Sequence, residues 1–179
     1  MPHIHTEPGQ HDHTASGFII RTDGPEPRVL LIRHKKLGVW IQPGGHVELH
    51  ETPRQAIAHE LREETGYELG QLELLQPAAR IKRLTVTKLH PVPVLHNTHA
   101  FDNEGNHFHT DIVYAFVTDQ LPRHPVDVGE SADFRWLTAA EMAGLPNTDT
   151  YEDIREIAKF MFDVCLPQWE RVPTAEVAL

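Results

Sequence analysis

At 179 residues, with 40% hydrophobic and 23% charged residues, the chain has the size and composition of one soluble domain with its own core and is too short for two comfortable ones. A formal net charge of -10 excludes sequence-independent binding along a nucleic-acid duplex. The lone cysteine, Cys165, excludes an internal disulfide framework, and no apolar run approaches the ~20 residues needed to span a bilayer. Neither a basic start nor an apolar run of the signal-peptide kind opens the chain, so a reducing, cytoplasmic setting without a membrane partner is expected.

His3, His5, His11 and His13 crowd the N-terminus, and residues 1–12 show no periodicity. They read as a flexible His-rich tail ahead of a single domain over 13–169, with metal binding by the irregularly spaced tail the weaker reading. His13 to Arg21 is a plausible first strand, and Asp23 to Pro27 (DGPEP) is a dense turn signal. Arg28 to His34 is a short apolar run that reads as a buried strand, and Val39 to Ile41 as a third. Pro43-Gly44-Gly45 then ends that strand, its glycines allowing a sharp turn and a close approach of backbone to a ligand.

Gly45 to Tyr67 (GHVELHETPRQAIAHELREETGY) reads as a loop followed by a helix. Thr52 is the N-cap candidate, Pro53 suits the first helical position, and Gln55 completes a T-x-x-Q capping box. Gly66 marks the stop, because the left-handed conformation of a helix end suits glycine. Glu60, Glu63 and Glu64 are spaced i, i+3, i+4 and, at about 100° per residue, share one arc of the helix. Ile57, Ala58, Leu61 and Thr65 form the neighbouring arc, expected to be buried. The acidic arc breaks local rules: Glu60 and Glu64 repel at i, i+4, and Glu63 and Glu64 sit at the negative end of the helix dipole. A bound divalent cation would reverse the sign of both effects, and carboxylate oxygens suit magnesium or manganese. The competing reading is a solvated acidic face.

The whole pattern resembles the Nudix box, G-x5-E-x7-R-E-U-x-E-E-x-G-U with U apolar, as in MutT-like hydrolases. Gly45, Glu51, Glu60, Leu61, Glu63, Glu64 and Gly66 occupy its fixed positions. Two positions depart from it: His59 stands where the family has Arg, and Tyr67 ends the motif. The resemblance implies a Nudix-type α/β/α sandwich with a mixed β-sheet. It also implies that Pro43-Gly44-Gly45 is the turn preceding the box, with the Gly44 carbonyl facing a metal.

Beyond the helix, Leu72 to Leu84 is expected to hold a strand, and Pro91 and Pro93 confine any strand in His90 to Phe101 to an edge. Asp102 to Asn106 reads as a polar hairpin turn. HFHTDIVYAFVT follows, its two faces both apolar beyond Asp111 as in a central strand. His107, His109 and Asp111 alternate and therefore share a face. They are a polar strand end, a lining of the substrate pocket, or, since imidazole suits zinc or manganese better than magnesium, a source of metal ligands. Glu130, six residues before Trp136, matches a loop acid that in Nudix proteins often completes the metal site or serves as a base. Thr138 and Glu141 form a second capping box. Tyr151 to Leu166 reads as a final amphipathic helix whose Ile154, Ile157, Ala158 and Met161 face the sheet. Residues 170–179 read as a C-terminal tail.

The resemblance implies a hydrolase that cleaves the pyrophosphate linkage of a nucleoside diphosphate joined to a further group, with Mg2+, or Mn2+, as cofactor. Carried onto this chain, Glu60, Glu63, Glu64 and Glu130 are the catalytic and metal-binding candidates together with Gly44. Glu60 is the first candidate for general base and Glu130 the second. Glu51, His59 and Gly66 are structural in the motif. Lys36, Gly45, His46, His107, His109 and Asp111 are candidate substrate contacts. His59 lacks the rigid, permanently charged fork of Arg and titrates near neutrality as a residue type, so looser or pH-dependent organisation of the box loop is expected. ADP-ribose, dinucleoside polyphosphates, oxidised nucleoside triphosphates and nucleotide sugars all remain open as substrates, and a homodimer is compatible with the superfamily. Two rivals share the fold: a nucleotide-binding Nudix domain without catalysis, and an isopentenyl-diphosphate isomerase, which needs a reactive cysteine near its substrate.

Overall fold

The computed structural model describes residues 4, 7–101 and 106–176. His3 and His5 of the expected tail, residues 102–105 of the expected hairpin turn, and residues 177–179 lie outside the described residues. In chain order the elements are β1 (Gln10–Arg21), β2 (Arg28–Arg33), β3 (Trp40–Ile41), β4 (Gly44–His46), α1 (Pro53–Thr65), β5 (Glu73–Gln76), β6 (Leu95–Ala100), β7 (His107–Thr118), β8 (Phe134–Leu137), α2 (Ala139–Ala143), α3 (Glu152–Phe160) and β9 (Glu170–Pro173).

The frame is a parallel pair. β1 and β7, 12 residues each, run side by side in unbroken register from Gln10 opposite His107 to Arg21 opposite Thr118. The outer edge of each is shared by two antiparallel neighbours. On β1 these are β4 at Thr14–Ser16 and β2 at Ile20–Arg21; on β7 they are β6 at His107's end and β5 near Val117. The remaining strands extend this into one mixed, nine-stranded sheet.

Side chains alternate across the sheet, so each long strand feeds two cores. Ala15, Ile19, Tyr114 and Phe116 pack with Ile57 and Leu61 of α1. Phe18, Ile20, Val113, Ala115 and Val117 pack with Met142 of α2 and with Ile154, Ala158 and Met161 of the C-terminal helix. Each fully buried Ile, Leu or Phe contributes about 1.5–3 kcal/mol relative to exposure. The layers are therefore helix, sheet, helix, the sandwich that the box implied.

Several local expectations shift. β1 begins at Gln10, three residues ahead of the expected start, and Asp12 is fully buried, so the free tail cannot extend to residue 12. Pro43-Gly44-Gly45 is not simply a turn: Gly44 and Gly45 belong to β4 and pair with Ser16 and Ala15. The strand expected within Leu72–Leu84 is only Glu73–Gln76. α3 gives way to a wider, π-type stretch at Met161–Cys165. Glu170–Pro173, placed in the loose C-terminal tail by sequence, is β9, paired along β5. Charge holds it there: Glu170 accepts from Arg80 at 2.6 Å and Lys82 at 3.2 Å. The buried guanidinium of Arg54 donates to the Thr174 carbonyl just beyond.

Candidate active site

The helix that carries the acidic arc is fixed at both ends. The Thr52 hydroxyl accepts from the Gln55 N–H at 3.3 Å and Gln55 Oε1 accepts from the Thr52 N–H at 2.9 Å, the reciprocal box expected from T-x-x-Q. Gly66 closes the helix at φ 75°, its N–H donating to the Arg62 carbonyl at 3.0 Å. A Cβ at Gly66 would stand 2.0 Å from the His124 carbonyl oxygen, so glycine is required by space as well as by backbone conformation.

Helix phase then sends Glu60 and Glu64 toward β4 rather than into solvent. The Glu60 side chain lies against Gly45, where any Cβ would fall 2.2 Å from Glu60 Oε1. Gly44, at φ 152°, turns its N–H onto Glu64 Oε2 at 2.8 Å. A Cβ on Gly44 would meet the Ala15 carbonyl at 2.5 Å. The glycine pair thus permits strand pairing and the approach of two carboxylates at once. Glu60 is 6% exposed, which removes it from the solvated face that a sequence reading of acidic residues allows.

His59 bridges two acids, with Nδ1 3.1 Å from Glu51 Oε2 and Nε2 3.3 Å from Glu60 Oε1. Glu51 also accepts from the Glu48 N–H at 2.8 Å, tying the loop to itself. Histidine therefore occupies the Arg position of the box while keeping contact with both neighbours. The loop carrying Glu130 is stitched to the end of α1. The His124 N–H donates to the Gly66 carbonyl at 3.1 Å and the Asp127 N–H to the Glu63 carbonyl at 2.8 Å, while Arg62 and Asp127 face each other at 3.6 Å. Glu130, exposed on that loop, is among the charges acting on Glu64.

Burial of these carboxylates shows in their acidity. Desolvation, opposed by His59 and reinforced by Glu63, raises Glu60 from 4.5 to about 7. Glu64 rises to about 8, chiefly by desolvation, with Glu60, Glu130 and Glu63 adding repulsion and the Gly44 N–H opposing. Glu60 Oε1 is buried, with His59 Nε2 its neighbour at 3.3 Å. An all-oxygen set with excess negative charge, buried and with raised pKa values, fits a hard divalent cation such as magnesium. Glu60, Glu63 and Glu64 are the residues that would hold it.

Other candidates lie elsewhere. Lys36 is exposed in the turn between β2 and β3. His46 pairs opposite Thr14 in the β1–β4 register, one residue out of phase with Gly45, so it points to the sheet face away from α1. His107, His109 and Asp111 share that face with Val113 and Ala115 of the second core. Asp111 is buried and accepts from Thr14 Oγ1 at 2.9 Å and Ser16 Oγ at 2.8 Å; burial raises its pKa. Sequence reading missed Asp12, Thr14 and Ser16 as partners on this face, although their own alternation in HDHTAS carried the signal. Cys165 is buried in the second core, its thiol pushed by desolvation to about 11, on the far side of the sheet from α1. That placement leaves it no part in the acidic site and removes the support for an isomerase.

The geometry of helix, glycine pair and loop matches what comparison with known proteins finds. The NUDIX domain family profile matches residues 11–160. The chain belongs to this family. A MutT-like protein of Streptomyces ambofaciens is 41% identical over 74 residues, covering 41% of this chain and 46% of its own. The CTP pyrophosphohydrolase of Escherichia coli is 32% identical over 134 residues, covering 70% of this chain and 93% of its own. A Nudix-family hydrolase of Clostridium perfringens superimposes with a TM-score of 0.69 at 28% identity, covering 86% of this chain and 97% of that one. The chain spans about half the length, or less, of the first curated relatives it matches. Among the described residues no helix is long and apolar enough to cross a membrane.

Proposed function

We propose that the chain is a divalent-metal-dependent pyrophosphohydrolase, Mg2+ or Mn2+ its cofactor, acting on a nucleoside diphosphate linked to a further group. The observation that carries this reading is the convergence of Glu60 and Glu64 on the Gly44–Gly45 backbone, with the Glu60 carboxylate buried beside His59. When bound, a divalent cation neutralises diphosphate charge and acidifies a coordinated water. The protein's own part is positioning. The Gly44 N–H fixes Glu64, His59 fixes Glu60 and Glu51, and the 124–130 loop brings Glu130 to the same helix end. Glu60, with a value near 7, is poised to take a proton at neutral pH and is the first candidate for general base; Glu130 is the second.

The substrate is a small nucleotide derivative rather than a nucleic-acid duplex, which agrees with a net charge of -10 bridged by a cation. Release of phosphate or of nucleoside monophosphate from a panel of nucleoside triphosphates, nucleotide sugars, dinucleoside polyphosphates and ADP-ribose, with magnesium and with manganese, tests the proposal. Calorimetry on the same panel separates binding from turnover. Tight metal-dependent binding with no product from any member would assign the chain to the non-catalytic class.

A further inference from the structure

The buried charge on the opposite face has a different chemistry from the box. Asp12 is fully buried, an arrangement that costs free energy unless a cation or strong donors compensate it. Its Oδ2 accepts from the Ile4 N–H at 3.1 Å and lies 3.3 Å from His107 Nε2 and 3.5 Å from His46 Nε2. The ligand atoms that Asp12, His107 and His109 offer all fall within 4.8 Å of one another. The His46 and His109 rings are 5.0 Å apart, and His107 and His109 5.5 Å.

The scaffold under these groups is stiff. Asp12 pairs directly opposite His109, and Gln10 opposite His107, in the parallel register of β1 and β7. His46 comes from β4, hydrogen-bonded along the other edge of β1. Two strands therefore deliver a carboxylate and two imidazoles to one spot, and a third brings the His46 imidazole to 3.5 Å from the carboxylate, without a flexible loop supplying any of them. Phe101 stacks beside His109 at 4.8 Å and gives the cluster an apolar flank.

We propose that Asp12, His107 and His109 form a second metal site, separate from the box carboxylates, for a zinc-class transition-metal dication, with His46 placed to supply a fourth donor. Two imidazoles and one carboxylate are a borderline-soft set that selects zinc, cobalt or nickel over magnesium, and four such donors suit tetrahedral coordination. The ion ties the starts of β1 and β7 to β4, the strand whose Gly44 and Gly45 hold the box acids on the other face. The site stands whether or not the box turns over a nucleotide.

The test uses the full chain, stripped of metal, in buffer saturated with magnesium, titrated with cobalt(II) at neutral pH. A single equivalent should bind with the intense visible bands of four-coordinate cobalt, zinc should displace it, and zinc should raise the melting temperature by mass action. His107→Ala combined with His109→Ala should weaken binding by about 100-fold or more. Glu60→Gln combined with Glu64→Gln should leave the bands unchanged. Zinc-edge X-ray absorption on the unmutated chain needs no variant to fold, and should show at least two imidazoles in the first shell. Three results overturn the proposal: no tight cobalt or zinc binding, bands that follow Glu60 and Glu64, or bands that survive the His107/His109 exchange but vanish when His3, His5, His11 and His13 become alanine.

Discussion

The two faces of the sheet at the Gly44–His46 end carry opposite designs from neighbouring residues. Toward α1, Gly45 has no side chain and the carboxylate of Glu60 fills the space that a Cβ would take. One residue later, His46 points the other way, toward Asp12. The first face gathers oxygen donors on one helix turn, close in sequence and repelling one another. The second gathers imidazoles around a single carboxylate, drawn from positions 12, 46, 107 and 109. Hard and borderline donor sets thus lie on opposite faces of one strand, and their chemistries would favour different cations.

The largest expected effect comes from removing the oxygen set. Glu60→Gln with Glu64→Gln should lower metal-dependent hydrolysis by at least about 10³-fold, read as product release at saturating magnesium. The same protein should retain its fold, because two buried, mutually repelling acids are replaced by neutral isosteres. Hydrolysis within tenfold of the unmutated chain would remove the box from the chemistry.

Next is Gly66→Ala, which places a Cβ 2.0 Å from the His124 carbonyl at a φ of 75°. It should destabilise the chain by about 2 kcal/mol or more in urea unfolding and loosen the loop that carries Glu130. Cobalt bands on the far face should persist in the folded fraction, which distinguishes damage to one face from damage to the sheet.

A pH titration of stability without metal comes third. Glu60 and Glu64 hold protons more tightly folded than unfolded, rising from 4.5 to about 7 and about 8. Their contribution is complete below the unfolded value and is lost as pH rises through the folded values. In EDTA the melting temperature should therefore fall from about pH 4.5 to about pH 8 and level off above that, and saturating magnesium should remove most of the decline, since a bound cation favours the charged forms. A melting temperature flat across that window in EDTA would show that the two acids are better solvated than their burial implies.

The smallest effect tests the helix alone. Thr52→Ala removes the acceptor of the Gln55 N–H and should cost about 1 kcal/mol, with hydrolysis unchanged once the protein is folded.

What could be read in advance follows the same division. α1 was legible to the residue, because caps, stop glycine and acidic spacing are all local: Thr52, Pro53, Gln55 and Gly66 each act within one turn. β7 was legible because its alternation ends in an apolar run. The far-face cluster was only half visible. His107 and His109 stood out, but Asp12 lay in a stretch whose polar, histidine-rich composition resembles a tail. Only the parallel register places it opposite His109. Asp111, grouped with those histidines by alternation, is instead engaged by Thr14 and Ser16. β9 was missed for a similar reason: ERVP has no pattern of its own and becomes a strand because β5 offers an edge and Arg80 and Lys82 offer charge.

The in-register pairing of β1 with β7 also governs how the chain assembles. The 85 residues from 22 to 106 separate the end of one strand from the start of the other, and loop-closure entropy opposes their meeting until the intervening segments have condensed. The box helix is translated well before Tyr114 and Phe116, on which its apolar side must dock. A nascent chain ending short of Tyr114 can form α1 but lacks Tyr114 and Phe116 from the surface that seats it, so the acidic cluster is completed late, and folding should fall in the slow range of non-local topologies.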